Sequence, residues 1–154
     1  MSTTNRRRWT HKEAAEFQGK YSEMMLQTEL RRLQGTKING RIASENMAID
    51  GRHFEVDYVV LVPRVGLVIC EAKSFGGRIV ASSHGQWRRG SSRENFFRNP
   101  CIQVLRTRDL YQRMLAASGI DRWPVIPLVV MTTRGVSLIV DRANPPQTDV
   151  IRLD

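Results

Sequence analysis

Apolar positions along the chain fall into two helical stretches and a set of short strand-like runs. Over residues 12–34, Phe17, Tyr21, Met24, Met25, Leu26, Leu30 and Leu33 recur at three- and four-residue spacing, which predicts a helix with one apolar side. Gly35 is its expected stop, and Gly19 would allow it to start later. Residues 36–52 are mixed, with turn signals at Asn39-Gly40 and Asp50-Gly51 and room for a short strand over 41–48. Residues 54–62 (FEVDYVVLV) and 66–73 (GLVICEAK) predict two strands, joined through Pro63-Arg64-Val65-Gly66 as a hairpin. After the break at Gly76-Gly77, residues 78–82 predict a third strand and Gly85-Gln86-Trp87 a short return strand.

Residues 88–98 (RRGSSRENFFR) are polar and basic apart from two phenylalanines, and a loop is expected. Asn99-Pro100 marks a helix start, with asparagine as cap and proline in the first turn. That helix is expected to reach Ala117 and stop at Gly119, burying Val104, Leu105, Tyr111, Met114 and Leu115. Residues 125–132 (VIPLVVMT) form a nearly continuous apolar run, the mark of a strand covered on both faces, and 136–140 suit one more short strand. The order is helix, three or four strands, helix, strand: an α/β chain without the strict alternation of a doubly wound nucleotide-binding fold. Residues 1–11 are expected to be a flexible basic arm, 12–141 the folded domain and 142–154 a C-terminal tail.

Composition narrows the class. The chain has 154 residues, 41% hydrophobic and 25% charged, which suits one folded domain and excludes disorder for its bulk. It shows no apolar run of membrane-spanning length, no secretory signal and only two cysteines, so a cytoplasmic protein without a disulfide framework is expected. The formal charge is +9, and only four of 24 basic residues are lysine: Lys12, Lys20, Lys37 and Lys73. Arginine offers a planar fork to phosphate, and the excess favours a polyanionic partner. Phosphate-binding Walker, dinucleotide-binding and nucleophile-elbow motifs are absent.

Chemistry concentrates in the hairpin. Glu71 and Lys73, two apart on a strand, share a face, and pairing through the Pro63–Gly66 turn brings Asp57 near Glu71. Carboxylates in otherwise apolar strands must be paired or bound to a metal. An E-x-K ion pair is the simpler compensation. The other is a divalent cation: Mg²⁺ needs one or two carboxylates plus water and phosphate, and an adjacent lysine could deprotonate the attacking water or stabilise charge on the phosphate.

The order of these motifs resembles the PD-(D/E)xK nuclease superfamily and, within it, the nuclease-related domain (NERD). The matching features are Gly19-Lys20-Tyr21-Ser22-Glu23 on the first helix, E-V-D-Y-V-V-L around Asp57, and the Gly66–Lys73 strand. They continue through Gly77 and Trp87 to Asn99-Pro100-Cys101-Ile102-Gln103 at the second helix start, so the resemblance covers about residues 17–132. It implies a restriction-endonuclease-like αβββαβ core, a central mixed sheet flanked by helices. It implies a nuclease requiring Mg²⁺ or Mn²⁺, with Asp57 and Glu71 as metal ligands, Glu23 as a further acidic ligand or water-positioning group, Lys73 as the catalytic lysine and Gln103 facing the site. Two positions depart from the family pattern: Ser22, where glycine is usual, and Tyr58, where histidine is frequent.

DNA is the expected substrate, with RNA as the alternative and a homodimer as a way to cut two strands. Arg88, Arg89, Arg93 and Arg98, interleaved with Phe96 and Phe97, are candidate nucleic-acid contacts, and Arg6, Arg7 and Arg8 could reach phosphate from the arm. A non-catalytic nucleic-acid- or protein-binding module on the same fold is the competing reading. His11, His53 and His84 lack metal-ligand spacing, Cys70, Cys101 and Trp87 read as packing residues, and Glu55 reads as solvated.

Overall fold

A computed structural model describes residues 10–35, 37, 40–49, 51–90 and 95–153. The first helix, α1 (His11–Leu33), starts at a capping box. The Thr10 side chain accepts from Glu13 N while the Glu13 carboxylate accepts from Thr10 N. Gly19 does not delay it, and the chain leaves through Gly35 at φ +81°. The strands β1 (Gly40–Ile49), β2 (Arg52–Val62) and β3 (Gly66–Lys73) form an antiparallel meander. Then come β4 (Arg78–Ala81), β5 (Gln86–Arg89), β6 (Phe96–Arg98), α2 (Pro100–Ala117), β7 (Val125–Met131), β8 (Ser137–Val140) and β9 (Asp149–Arg152).

The strands make two sheets. The larger is mixed, in the order β1-β2-β3-β7-β9, and the smaller runs β6-β5-β4-β8. Parallel pairing of β3 with β7 needs a long crossover, and β4, β5, β6 and α2 supply it. Alternation along the strands divides the core in two. Odd-numbered Val59, Ile69 and Val129 join Cys101, Val104 and Tyr111 of α2 and Ile79, Ala81 and Trp87 of the small sheet. Even-numbered Tyr58, Val60, Cys70, Ala72 and Val130 meet Leu26 and Leu30 of α1. The fold is therefore α/β, with a central mixed sheet covered by a helix on each face.

Two segments differ from expectation. Residues 96–98, expected in a loop, form the edge strand β6, and residues 149–152, expected in a tail, pair with β7 as β9. Both strands are short and carry charge, so their own pattern is weak; pairing with a neighbour decides them.

The hairpin turn is fixed by close approach. Gly66 sits at φ +128°, and a Cβ there would lie 2.5 Å from the Pro124 carbonyl oxygen, which accepts from Leu67 N at 2.9 Å. Gly66→Ala should lower stability by more than about 2 kcal/mol in urea denaturation, because both the backbone angle and the clash oppose it.

Candidate active site

The site is built where the paired strands end. The β2–β3 register runs from Val62↔Gly66 to Tyr58↔Cys70. One residue further on, the Asp57 side chain takes over as acceptor: its Oδ2 receives Ala72 N at 2.8 Å. Glu71 lies on the α2 side of β3, beside Val129 in the parallel register, and is only 4% exposed. Lys73 follows on the same face at the strand end. Its Nζ forms an ion pair with Glu71 Oε1 and donates to Gln103 Oε1 at 3.3 Å. Gln103 arrives there because Asn99 and Pro100 set the first turn of α2. The Asn99 side chain accepts from Cys101 N and donates to the Ser82 and His84 carbonyls and to Gln147 Oε1.

The electrostatics follow from burial. Desolvation pushes the Glu71 carboxyl up to about 7, with the neighbouring Asp57 adding to the rise and Lys73 opposing it. Desolvation also raises Asp57; the Ala72 hydrogen bond and Lys73 oppose the rise, and Glu23 and Glu55 add to it. Glu23, on α1, is therefore close enough to Asp57 to oppose its ionisation. Among the described residues, however, no three acidic, histidine or cysteine side chains gather into a cluster that would hold a metal. Asp57 and Glu71 still suit a hard divalent cation. They are oxygen donors, they repel each other, and Mg²⁺ is commonly held by one or two carboxylates.

The sequence missed a set of residues that fix α1 over this end of the sheet. Tyr58 Oη donates to the Glu23 carbonyl at 3.0 Å. The Ser22 hydroxyl bonds the Thr132 hydroxyl at 2.8 Å, Thr132 N donates to the Lys73 carbonyl at 2.9 Å, and Ser74 Oγ donates to the Gln18 carbonyl at 3.0 Å. Ser22 and Tyr58, the two departures from the family pattern, are thus both ties between α1 and the sheet. Tyr58→Phe should cost about 1 kcal/mol in thermal or urea unfolding, as expected for one hydrogen bond lost without a change of shape.

The arginine candidates separate. Arg88, Arg89 and Arg98 are all exposed, but Arg89 turns to the other face and donates Nε to the Gly76 carbonyl at 2.9 Å. Phe97 packs against Phe75 and Trp87, while Phe96 is 48% exposed. Arg93 and the arginines at 6–8 lie outside the described residues. Trp87 is fully buried and donates Nε1 to the Ser82 carbonyl. His53, His84 and Glu55 are exposed, and Cys70 and Cys101 are buried, with desolvation pushing their thiols up to about 12 and 11.

No described helix is long and apolar enough to cross a membrane. No significant match was found among curated proteins or among solved structures. The family model of the nuclease-related domain matches residues 18–132, which run from within α1 to just past β7 and include Glu23, Asp57, Glu71, Lys73 and Gln103. By that match, over most of its length, the chain belongs to the nuclease-related domain family.

Proposed function

We propose that this chain is a divalent-metal-dependent nuclease that hydrolyses phosphodiester bonds, DNA foremost. The observation that carries the reading is the convergence of Asp57, Glu71, Lys73 and Gln103 at one end of the central strands, with Glu71 buried and its carboxyl raised by burial. Asp57 and Glu71 would hold Mg²⁺ or Mn²⁺. When bound, such a cation supplies positive charge against the phosphodiester and makes water a better nucleophile. Lys73, released from Glu71, would stabilise charge on the phosphate as an ammonium or, after giving up its own proton to solvent, would accept one from the attacking water. Gln103, already bonded to Lys73 Nζ, would orient that amine, and Glu23 would position water beside Asp57.

A non-catalytic nucleic-acid-binding module draws on one observation: the Glu71–Lys73 ion pair balances both charges without a metal. The readings part in a single assay. Purified protein with Mg²⁺ or Mn²⁺ should cleave plasmid or linear DNA, chelation should stop it, and Glu71→Ala should be inactive at unchanged circular dichroism. Intact DNA and RNA substrates under all these conditions would leave the binding module as the function.

A further inference from the structure

The outer face of the small sheet carries a second feature that the proposed chemistry does not use. Alternation places Ile79, Ala81, Trp87 and Phe97 inward, in the core. Arg78 and Val80 of β4, Gln86 and Arg88 of β5, and Phe96 and Arg98 of β6 therefore face outward. The register orders them. Val80 lies opposite Arg88, Arg88 opposite Phe96, and Gln86 opposite Arg98. Arg78, Arg88 and Arg98 thus run diagonally across three strands, with diagonal neighbours about 7–8 Å apart. All three are exposed, and none forms an ion pair among the described residues. The rim carboxylate, Asp141, is engaged in its own loop by Ala143 N and Asn144 N.

We infer that this face is a docking platform for single-stranded DNA, with Phe96 stacking on a base and Arg78, Arg88 and Arg98 tracking the phosphates. The inference rests on the reading of the chain as one that acts on DNA. Three like charges on neighbouring strands repel one another, and a polyanion removes that cost. Phe96 selects the form of the polyanion. A half-exposed ring on an open sheet face offers a stacking surface that only an unpaired base can reach. Its partner in the sequence, Phe97, is spent on packing against Phe75 and Trp87, so one ring and not two forms the platform. The platform adjoins the site through the chain itself. Residues 74–77 join Lys73 to Arg78, and Arg98 precedes the α2 cap that positions Gln103.

The test is a fluorescence-anisotropy titration of a labelled oligothymidylate with the full chain in chelator, where cleavage cannot contribute. Phe96→Ala should weaken binding about tenfold. Arg88→Ser should weaken it and reduce the slope of log affinity against log salt by about one. Arg113→Ser, on the exposed side of α2, should leave it unchanged. Equal affinity for wild type, Phe96→Ala and Arg88→Ser would overturn the platform. So would preference for a duplex, or for an RNA of the same sequence. Because the titration needs no turnover, an inactive protein whose platform variants lose binding sinks only the nuclease reading, and an active protein whose platform variants bind normally sinks only the platform.

Discussion

Replacing Glu71 by glutamine should abolish hydrolysis and, in the same protein, raise the melting temperature of the metal-free form at pH 8. The two effects have one origin. Burial, reinforced by Asp57, lifts the Glu71 carboxyl to about 7 from its ordinary 4.5. Between those values the folded chain keeps a proton that the unfolded chain has released. The contribution of Glu71 to stability is therefore greatest below about 4.5, falls as pH rises to about 7, and stays reduced above it. Asp57, also raised, adds in the same direction. For Glu71 alone the cost reaches about 3 kcal/mol, an upper bound worth roughly 5–10 °C in melting temperature at this chain length. Glutamine carries no charge and escapes it. Lys73 loses its ionic partner in the variant, but its side chain is 24% exposed and water can solvate the amine. The melting curves of wild type and Glu71→Gln should converge near pH 4.5 and separate above pH 6. Saturating Mn²⁺ should raise the wild type at pH 8 clearly more than the variant, because the variant keeps only Asp57 of the carboxylate pair and binds the cation more weakly. Hydrolysis should fall about 10³-fold or more, equivalent to roughly 4 kcal/mol of barrier. A variant that is less stable than wild type at pH 8 without metal would show that the ion pair outweighs burial.

The same residues explain why part of the site is legible in the sequence itself. Asp57, Glu71 and Lys73 announce themselves because charge interrupts apolar strands, and an interruption of that kind survives in a linear pattern. Gln103 is legible only through the Asn99-Pro100 start that fixes its place on α2. The ties around α1 are not. Ser22, Tyr58 and Thr132 are ordinary residues whose roles come from partners up to 110 positions away, and no local periodicity encodes such a pair. The arginines illustrate the same limit in reverse. As a string, residues 88–98 read as one basic loop, yet β5 and β6 are strands, and alternation sends Arg88 and Arg89 to opposite faces. Composition could supply the charge; only the register could divide it between a phosphate-facing surface and a structural hydrogen bond.

Lys73→Ala should lower activity without weakening metal affinity, and this separates a catalytic amine from a structural one. In the metal-free protein Lys73 opposes the rise of both carboxyls and holds Glu71 in an ion pair. A cation that binds Asp57 and Glu71 must displace that amine from Glu71. Removing it removes a competitor, so calorimetric titration with Mn²⁺ at pH 8 should give an affinity equal to wild type or tighter. Hydrolysis, in contrast, should drop about 10²–10⁴-fold, the usual worth of a positioned proton-transfer group. Lys73→Arg sharpens the distinction. Arginine restores the positive charge but is not deprotonated under ordinary conditions. It should recover the weaker, wild-type-like Mn²⁺ affinity while leaving hydrolysis low. If Lys73→Arg restores the rate, the amine acts as charge on the phosphate and not as a base. If Lys73→Ala abolishes Mn²⁺ binding at unchanged circular dichroism, Lys73 is a strut that holds Glu71 in place, and water activation must fall to another residue.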